Sequence, residues 1–179
     1  LLGLPDRVAI EAALRTADEV VAVSIGGDRA RRTVRSALEM GVGRGVHVLY
    51  DPIDEPVGEK YATVLARAAG RERPDAVFVP GSAPRWGSEV ATQMAGTLGW
   101  PALTSVTAIG REAITTDVDV DHIDTDETLV QRKLETGRQE VLAVRYPVVF
   151  SIDASYANPR KADLQTVVAG RRASVETVE

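Results

Sequence analysis

Glu19-Val20-Val21-Ala22-Val23-Ser24-Ile25 is a β-branched, apolar run closed by Gly26-Gly27, and Gly45-Val46-His47-Val48-Leu49-Tyr50 is a second run of the same kind. Between them Asp28 is placed to cap a helix in which Ala30, Val34 and Leu38 fall on one face, with Gly41 and Gly43 as its stop. Strand, helix and strand in about thirty residues make a βαβ unit. Strands this continuously apolar belong to a parallel sheet covered on both faces.

The alternation extends outward from this unit. Upstream, Pro5-Asp6 opens a helix whose apolar positions Val8, Ala12 and Ala9, Ala13 recur at four-residue spacing. Downstream, Val57, Tyr61, Val64, Leu65 and Ala68 predict a helix over 55–71, and Pro74 turns the chain into an apolar strand over 75–80 that should be buried. Val90, Met94 and Leu98 stack over Ala91 and Ala95 in a helix over 88–98, ended by Gly99-Trp100-Pro101. The pattern then changes to short strands over 103–109, 114–120, 128–134, 140–145 and 148–152, several of which should pair antiparallel. An amphipathic stretch over 161–169 precedes a polar tail from Gly170. The fold class is therefore α/β: a Rossmann-like parallel sheet with helices on both faces, plus antiparallel strands in the C-terminal half.

Composition narrows the function classes. The 179 residues, 44% hydrophobic and 26% charged, suit one ordinary globular domain and no disordered or coiled-coil chain. Lys plus Arg is 21 against 26 Asp plus Glu, a net charge of −5, so there is no broad basic footprint for nucleic acid. The chain has no cysteine, which removes disulfides, thiolate metal sites and cysteine nucleophiles. No apolar run reaches the roughly 20 residues that span a bilayer, so no stable membrane insertion is expected. A cytoplasmic protein is the reading. The chain opens on Leu1 rather than methionine, from which a trimmed or incomplete N-terminus is expected.

Ligands of open parallel sheets sit beyond the carboxyl ends of the strands, which points to the loops at 24–28, 50–54 and 81–88. Gly26-Gly27 ahead of a helix allows a phosphate to approach backbone N–H groups, although glycine at such turns also has a purely geometric use. Gly81-Ser82-Ala83-Pro84-Arg85-Trp86-Gly87-Ser88 carries glycines, hydroxyls, an arginine and an aromatic ring, and equally supplies a helix cap at Ser88. The GxGxxG and GxxxxGK[ST] patterns are absent, so neither a standard dinucleotide site nor a P-loop is supported. Asp117, Asp119, Asp121, Asp124 and Asp126 around His122 lack the glycine and glutamate of a calcium loop and read as the wet face of an exposed strand, with no metal assigned. His47 alternates with Val46 and Val48 and reads as structural or interfacial. No Ser/His/Asp set or carboxylate pair marks catalytic residues, so an autonomous enzyme is not expected.

The residues resemble a known family, the electron transfer flavoprotein β subunit, also called FixA-type. Val21-Ala22-Val23-Ser24-Ile25-Gly26 with Ser36-Ala37-Leu38-Glu39-Met40-Gly41 resembles its strand and "ALAMGADR" segment. Gln93-Met94-Ala95-Gly96-Thr97-Leu98-Gly99-Trp100-Pro101 is similar to its "GQM-AG-LGWP" segment. Val130-Gln131-Arg132 through Tyr146-Pro147-Val148-Val149 resembles its "VER…LPAVV" hairpin, and Asn158-Pro159-Arg160 its "NEPRYATLP" segment. The resemblance implies an adenine nucleotide α-hydrolase-like sheet, with a nucleotide-binding-like domain over 1–155 and a partner-docking segment over 156–179. Members begin with a strand and hairpin that lie before the first helix, and the strand sits inside the sheet. Nothing here corresponds, so the expectation is that the chain is incomplete or that another segment fills that place.

The resemblance also implies function. It predicts a β-type subunit that passes electrons from flavoprotein dehydrogenases by way of FAD held mainly by an α subunit, with no catalytic residues of its own. Carried over position by position, an AMP-like pocket falls on Gly3, Pro5, Asp6, Ile25, Gly26, Gly81, Ser82, Arg85, Ser88, Glu89, Val90 and Ala91. The family's asparagine, glutamine and threonine are replaced by Glu89, Val90 and Ala91, and a carboxylate at a helix start competes with a phosphate. The family's docking leucine matches Leu164, with Arg171 and Arg172 as its basic neighbours; the alternative is that Leu164, Val167 and Val168 form a helical face packed within the protein or on its partner subunit. The rival to the subunit reading is a stand-alone adenine-nucleotide-binding regulatory module of the same fold.

Overall fold

The computed structural model describes residues 2–50, 57–81, 89–114 and 124–178. Apart from Ile114, the expected strand over 114–120 lies outside these residues, as do Asp117, Asp119, Asp121 and His122 of the aspartate run.

Helix α1 (Leu4–Thr16) starts as its sequence predicts, with Gly3 at the cap, Pro5 in the first turn, and the Asp6 carboxylate accepting from the Gly3 N–H at 2.9 Å. Strand β1 (Val21–Gly26), helix α2 (Asp28–Leu38) and strand β2 (Arg44–Leu49) form the expected parallel unit, Val21 pairing with Arg44 and Gly26 with Leu49. One local detail differs. Gly27, not Asp28, is the cap of α2; Asp28 is the first helical residue, where its charge still favours the helix N-terminus.

Helix α3 (Val57–Arg71) and strand β3 (Ala76–Pro80) follow, then helix α4 (Glu89–Leu98), strand β4 (Ala102–Ile109) and a short 3₁₀ turn, Arg111–Ala113. In α3 the deepest positions are Ala62, Ala66 and Ala69 rather than the larger residues of the apolar face, and together with Met94 they form one cluster between α3 and α4. Small side chains let the two helices approach closely.

Strands β5 (Thr128–Lys133) and β6 (Gln139–Val144) add to β4 as antiparallel neighbours. Strand β7 (Val148–Ile152) does not pair with β6. It returns between β3 and β4 and is parallel to both, which gives a five-stranded sheet in the order β3-β7-β4-β5-β6. Every residue of β7 is buried, and Phe150 and Ile152 are among the largest fully buried side chains. Under them α1 places Val8, Ala9 and Ala12 against Val106, Val130 and Val148.

The C-terminal end corrects the expectation of a polar tail from Gly170. Helix α5 (Leu164–Arg172) runs through Gly170, and 175–178 form a strand, β8 (Val175–Val178), parallel to β2. A four-residue strand is stabilised here by a neighbour whose edge is available rather than by its own length.

The strands thus form two sheets, β1-β2-β8 and the five-stranded one, and β1 and β3 are terminal strands of their respective sheets. Both line one cavity of ≈ 620 Å³, closed by α1 and α2 on one side and by α3 and α4 on the other. Arg44, which opens β2, pairs with Glu72 just ahead of β3, so the parallel strands on both sides of the cavity begin at the same end. The strand over 75–80 was expected to be buried. Instead β1 and β3 are half-buried throughout, because each has an unpaired edge on this slot among the described residues.

Candidate functional site

The carboxyl ends of β1 and β3 carry Ile25, Gly26 and Gly81 of the residues singled out from sequence. Gly26 ends β1 with φ +140°, a conformation that side-chain-bearing residues rarely adopt, and its carbonyl accepts from Nε2 of His47 at 2.9 Å. Glycine here serves the turn. Gly81 follows β3 with its N–H donated to the Ile152 carbonyl at 2.8 Å, and a Cβ at Gly81 would lie 2.7 Å from that same oxygen. Glu89 stands in the first turn of α4, Ala91 is buried against Val149, and Val90 packs with the Met94 cluster. Asp6, Ile25 and Val90 line the slot together, while Gly3 and Pro5 lie at the start of α1. Ser82, Arg85 and Ser88 lie outside the described residues.

Two buried polar atoms near this end lack a partner among the described residues. They are Oγ of Ser151, 3.1 Å from where a Gly81 Cβ would stand, and Nδ1 of His47. His47 is thus a structural histidine rather than an interfacial one, 2% exposed with one ring nitrogen committed to the β1 turn. The apolar sequence around each gave no sign that the polar atom would be left over. Among the described residues no His, Cys, Asp or Glu group is arranged to hold a metal.

The second region is α5 and the chain that leads into it. Asp163 caps α5, accepting from the N–H of Thr166 at 2.7 Å and from its hydroxyl at 2.9 Å. Leu164 is 79% exposed at the first position of the helix, and Val168 one turn on is 38% exposed. Within this chain alone Leu164 and Val168 are therefore not packed, while Val167 between them is half-buried. The inward side of α5 is Gly170 instead, where an added Cβ would come within 2.5 Å of the Glu39 nitrogen, so backbone meets backbone between α5 and α2. Arg171 pairs with Glu39 at 3.3 Å and its carbonyl accepts from Arg35, while Arg172 is exposed.

Upstream of α5 a buried acid holds the connecting chain. Glu11, on α1, has a side chain 3% exposed. Its carboxylate accepts from the Arg160 backbone N–H at 3.0 Å, from Arg160 Nε at 2.7 Å and from Arg15 Nε at 2.6 Å. Burial alone would raise its pKa, but the Arg160 and Arg15 hydrogen bonds outweigh it and hold the pKa down at about 2.

Residues 4–179 match the family model described as "Electron transfer flavoprotein domain". The chain belongs to the electron transfer flavoprotein family. Its relatives are β-type: it is 31% identical to human "Electron transfer flavoprotein subunit beta" over 96% of this chain and 66% of the human protein. The Dictyostelium discoideum protein of the same description is 29% identical over 97% of this chain and 67% of its own length. The protein from Syntrophomonas wolfei is 30% identical over 96% of this chain and 65% of its own. The chain thus spans about two thirds of the length of these relatives.

Within an electron transfer flavoprotein β-type chain, the AMP positions can be checked against the geometry. Asp6 and Glu89 place carboxylates in the first turns of α1 and α4, where a phosphate would otherwise be favoured. Val90 and Ala91 are turned into packed clusters and carry no polar group. The described residues do not fit AMP held in the manner that the resemblance implies. No helix among the described residues is long and apolar enough to cross a membrane.

Proposed function

We propose that the chain is the β-type subunit of a heterodimeric electron transfer flavoprotein, which receives electrons from a flavoprotein dehydrogenase. The observation that supports this most is the match to β-type relatives along nearly the whole chain, with 96% of it aligned to the human subunit. When bound, FAD supplies the electron-accepting chemistry, and it is assigned mainly to an α-type partner. This chain's contribution is a scaffold and a docking surface. Leu164 stands out at the start of a helix anchored to α2, and Arg171 and Arg172 lie in its last turn. A single apolar anchor with basic neighbours supplies affinity from the anchor and steering from the charges.

The slot between β1 and β3 belongs to the same proposal. Two terminal strands whose edges are unpaired among the described residues, with helices on both faces, make a place for one more extended strand. A strand there would join the two sheets into one. AMP is left out of the proposal because Asp6, Glu89, Val90 and Ala91 do not suit it.

The reading is tested by co-expressing the protein with an α-type subunit and adding a reduced flavoprotein dehydrogenase. Co-purification, and bleaching of the flavin absorbance on reduction, are the expected results. A protein that ignores the α-type subunit but binds an adenine nucleotide alone would favour the regulatory module instead.

A further inference from the structure

Glu11 is a buried acid that the proposed function does not use. On the solvent side of a helix a glutamate next to Arg15 would be one member of an ordinary i, i+4 pair. Here the carboxylate is turned inward and receives a second arginine from 149 residues away in sequence. What it binds is more than a charge. Arg160 offers its backbone N–H as well as its guanidinium, so the carboxylate fixes the course of the main chain at 160 and not only the side chain.

That point of the chain is four residues ahead of Leu164, and the intervening Asp163 sets the start of α5 by its cap. The other end of α5 is seated on α2 through the close approach at Gly170. The exposed leucine is therefore carried on a helix whose two ends are tied to different parts of the domain. The tie at Gly170 sets how far α5 stands from α2. The tie at Arg160 sets where the first turn begins.

We propose that Glu11 is a positioning residue for the docking surface: by holding Arg160 through main chain and side chain together, it fixes where Leu164 is presented to the partner dehydrogenase. This rests on the docking role of Leu164. Glu11 is buried under Arg15 and Arg160, so its effect on the leucine travels through the connector and the cap. An apolar anchor that is held in place before contact loses less freedom on binding than one on a loose chain.

The test is a double-mutant cycle on the α/β complex, with a purified flavoprotein dehydrogenase that reduces the wild-type complex as the probe. The readout is the KM for the complex as electron acceptor, with kcat measured alongside. Glu11→Ala is expected to raise KM roughly five- to tenfold with kcat within about twofold, and Leu164→Ala to raise it by at least as much. In the Leu164→Ala background, Glu11→Ala should then add little, because residues acting as a unit are not additive. Glu11→Gln, which keeps an oxygen for the Arg160 N–H, should fall between wild type and Glu11→Ala and guards against a poorly folded alanine variant. If Leu164→Ala raises KM while both Glu11 variants leave it unchanged, or if the Glu11 effect persists in full without Leu164, the positioning role is wrong. If Leu164→Ala itself leaves KM unchanged, the docking reading fails and this inference with it.

Discussion

Replacing Gly170 with alanine sets helix propensity against packing. In an exposed helix interior the change from glycine to alanine stabilises by about 1 kcal/mol, because alanine loses less backbone freedom on folding. Gly96, in the middle of α4, meets that condition: it is exposed, and an added Cβ would find nothing within 4 Å. Gly170 does not. Its Cβ would lie 2.5 Å from the Glu39 nitrogen, 2.6 Å from the Leu38 carbonyl carbon and 2.7 Å from the Glu39 Cα. All three are backbone atoms that no rotamer change removes, and atoms of this kind rest at roughly 3.5 Å. Helix α5 must therefore back away from α2 by about 1 Å. Overpacking of this kind costs about 1–3 kcal/mol, so after the propensity gain of about 1 kcal/mol Gly170→Ala should be neutral to destabilising, by up to about 2 kcal/mol. Gly96→Ala should be stabilising by about 0.5–1 kcal/mol. Urea unfolding followed by circular dichroism measures both, with unchanged m-values as the check that only stability moved. If Gly170→Ala is as stabilising as Gly96→Ala, the backbone contact between α2 and α5 is not as described.

The Glu11 pKa is lowered from 4.5 to about 2 in the folded chain, so its contribution is complete above about pH 5 and disappears as the pH falls towards 2. Its size is about 3 kcal/mol, and the stability difference between pH 7 and pH 3 should shrink markedly in Glu11→Gln; an unchanged difference in denaturant titrations would contradict the assignment. Leu164→Ala removes a side chain that is 79% exposed, so it should leave the unfolding free energy within about 0.5 kcal/mol of wild type. A loss well beyond that would mean the leucine is packed in solution. Hydrogen exchange tests the slot. If a strand occupies it, the amides of β1 and β3 are protected to the level of β7, which has strands on both sides, whereas exchange typical of sheet edges would refute the proposed insertion.

Much of the fold was legible because it depends on local pattern. Pro5 and Asp6 announce α1, and the Gly26-Gly27 pair and the Val34 and Leu38 face give the first βαβ unit directly. What was not legible depends on neighbours far along the chain. Nothing in Val148-Val149-Phe150 says that this strand returns between β3 and β4 instead of continuing the meander, since the choice is made by non-local pairing. Strand β8 has only two apolar residues at its ends, and it forms because β2 offers an edge. The candidate site shows the same division. Gly26 and Gly81 are where the loops suggested, but Val90 and Ala91 were assigned to a ligand by position and are used in packing. Glu11 was missed because its partner is 149 residues away and only that partner explains its burial.

The proposed function makes this β-type chain one half of a flavin-carrying pair. Native mass spectrometry of the protein co-purified with an α-type subunit, together with the visible spectrum of the same sample, tests it most directly. The expected sample is a one-to-one heterodimer that carries FAD and is yellow. A colourless protein that remains a monomer or homodimer in the presence of the α-type subunit would contradict it.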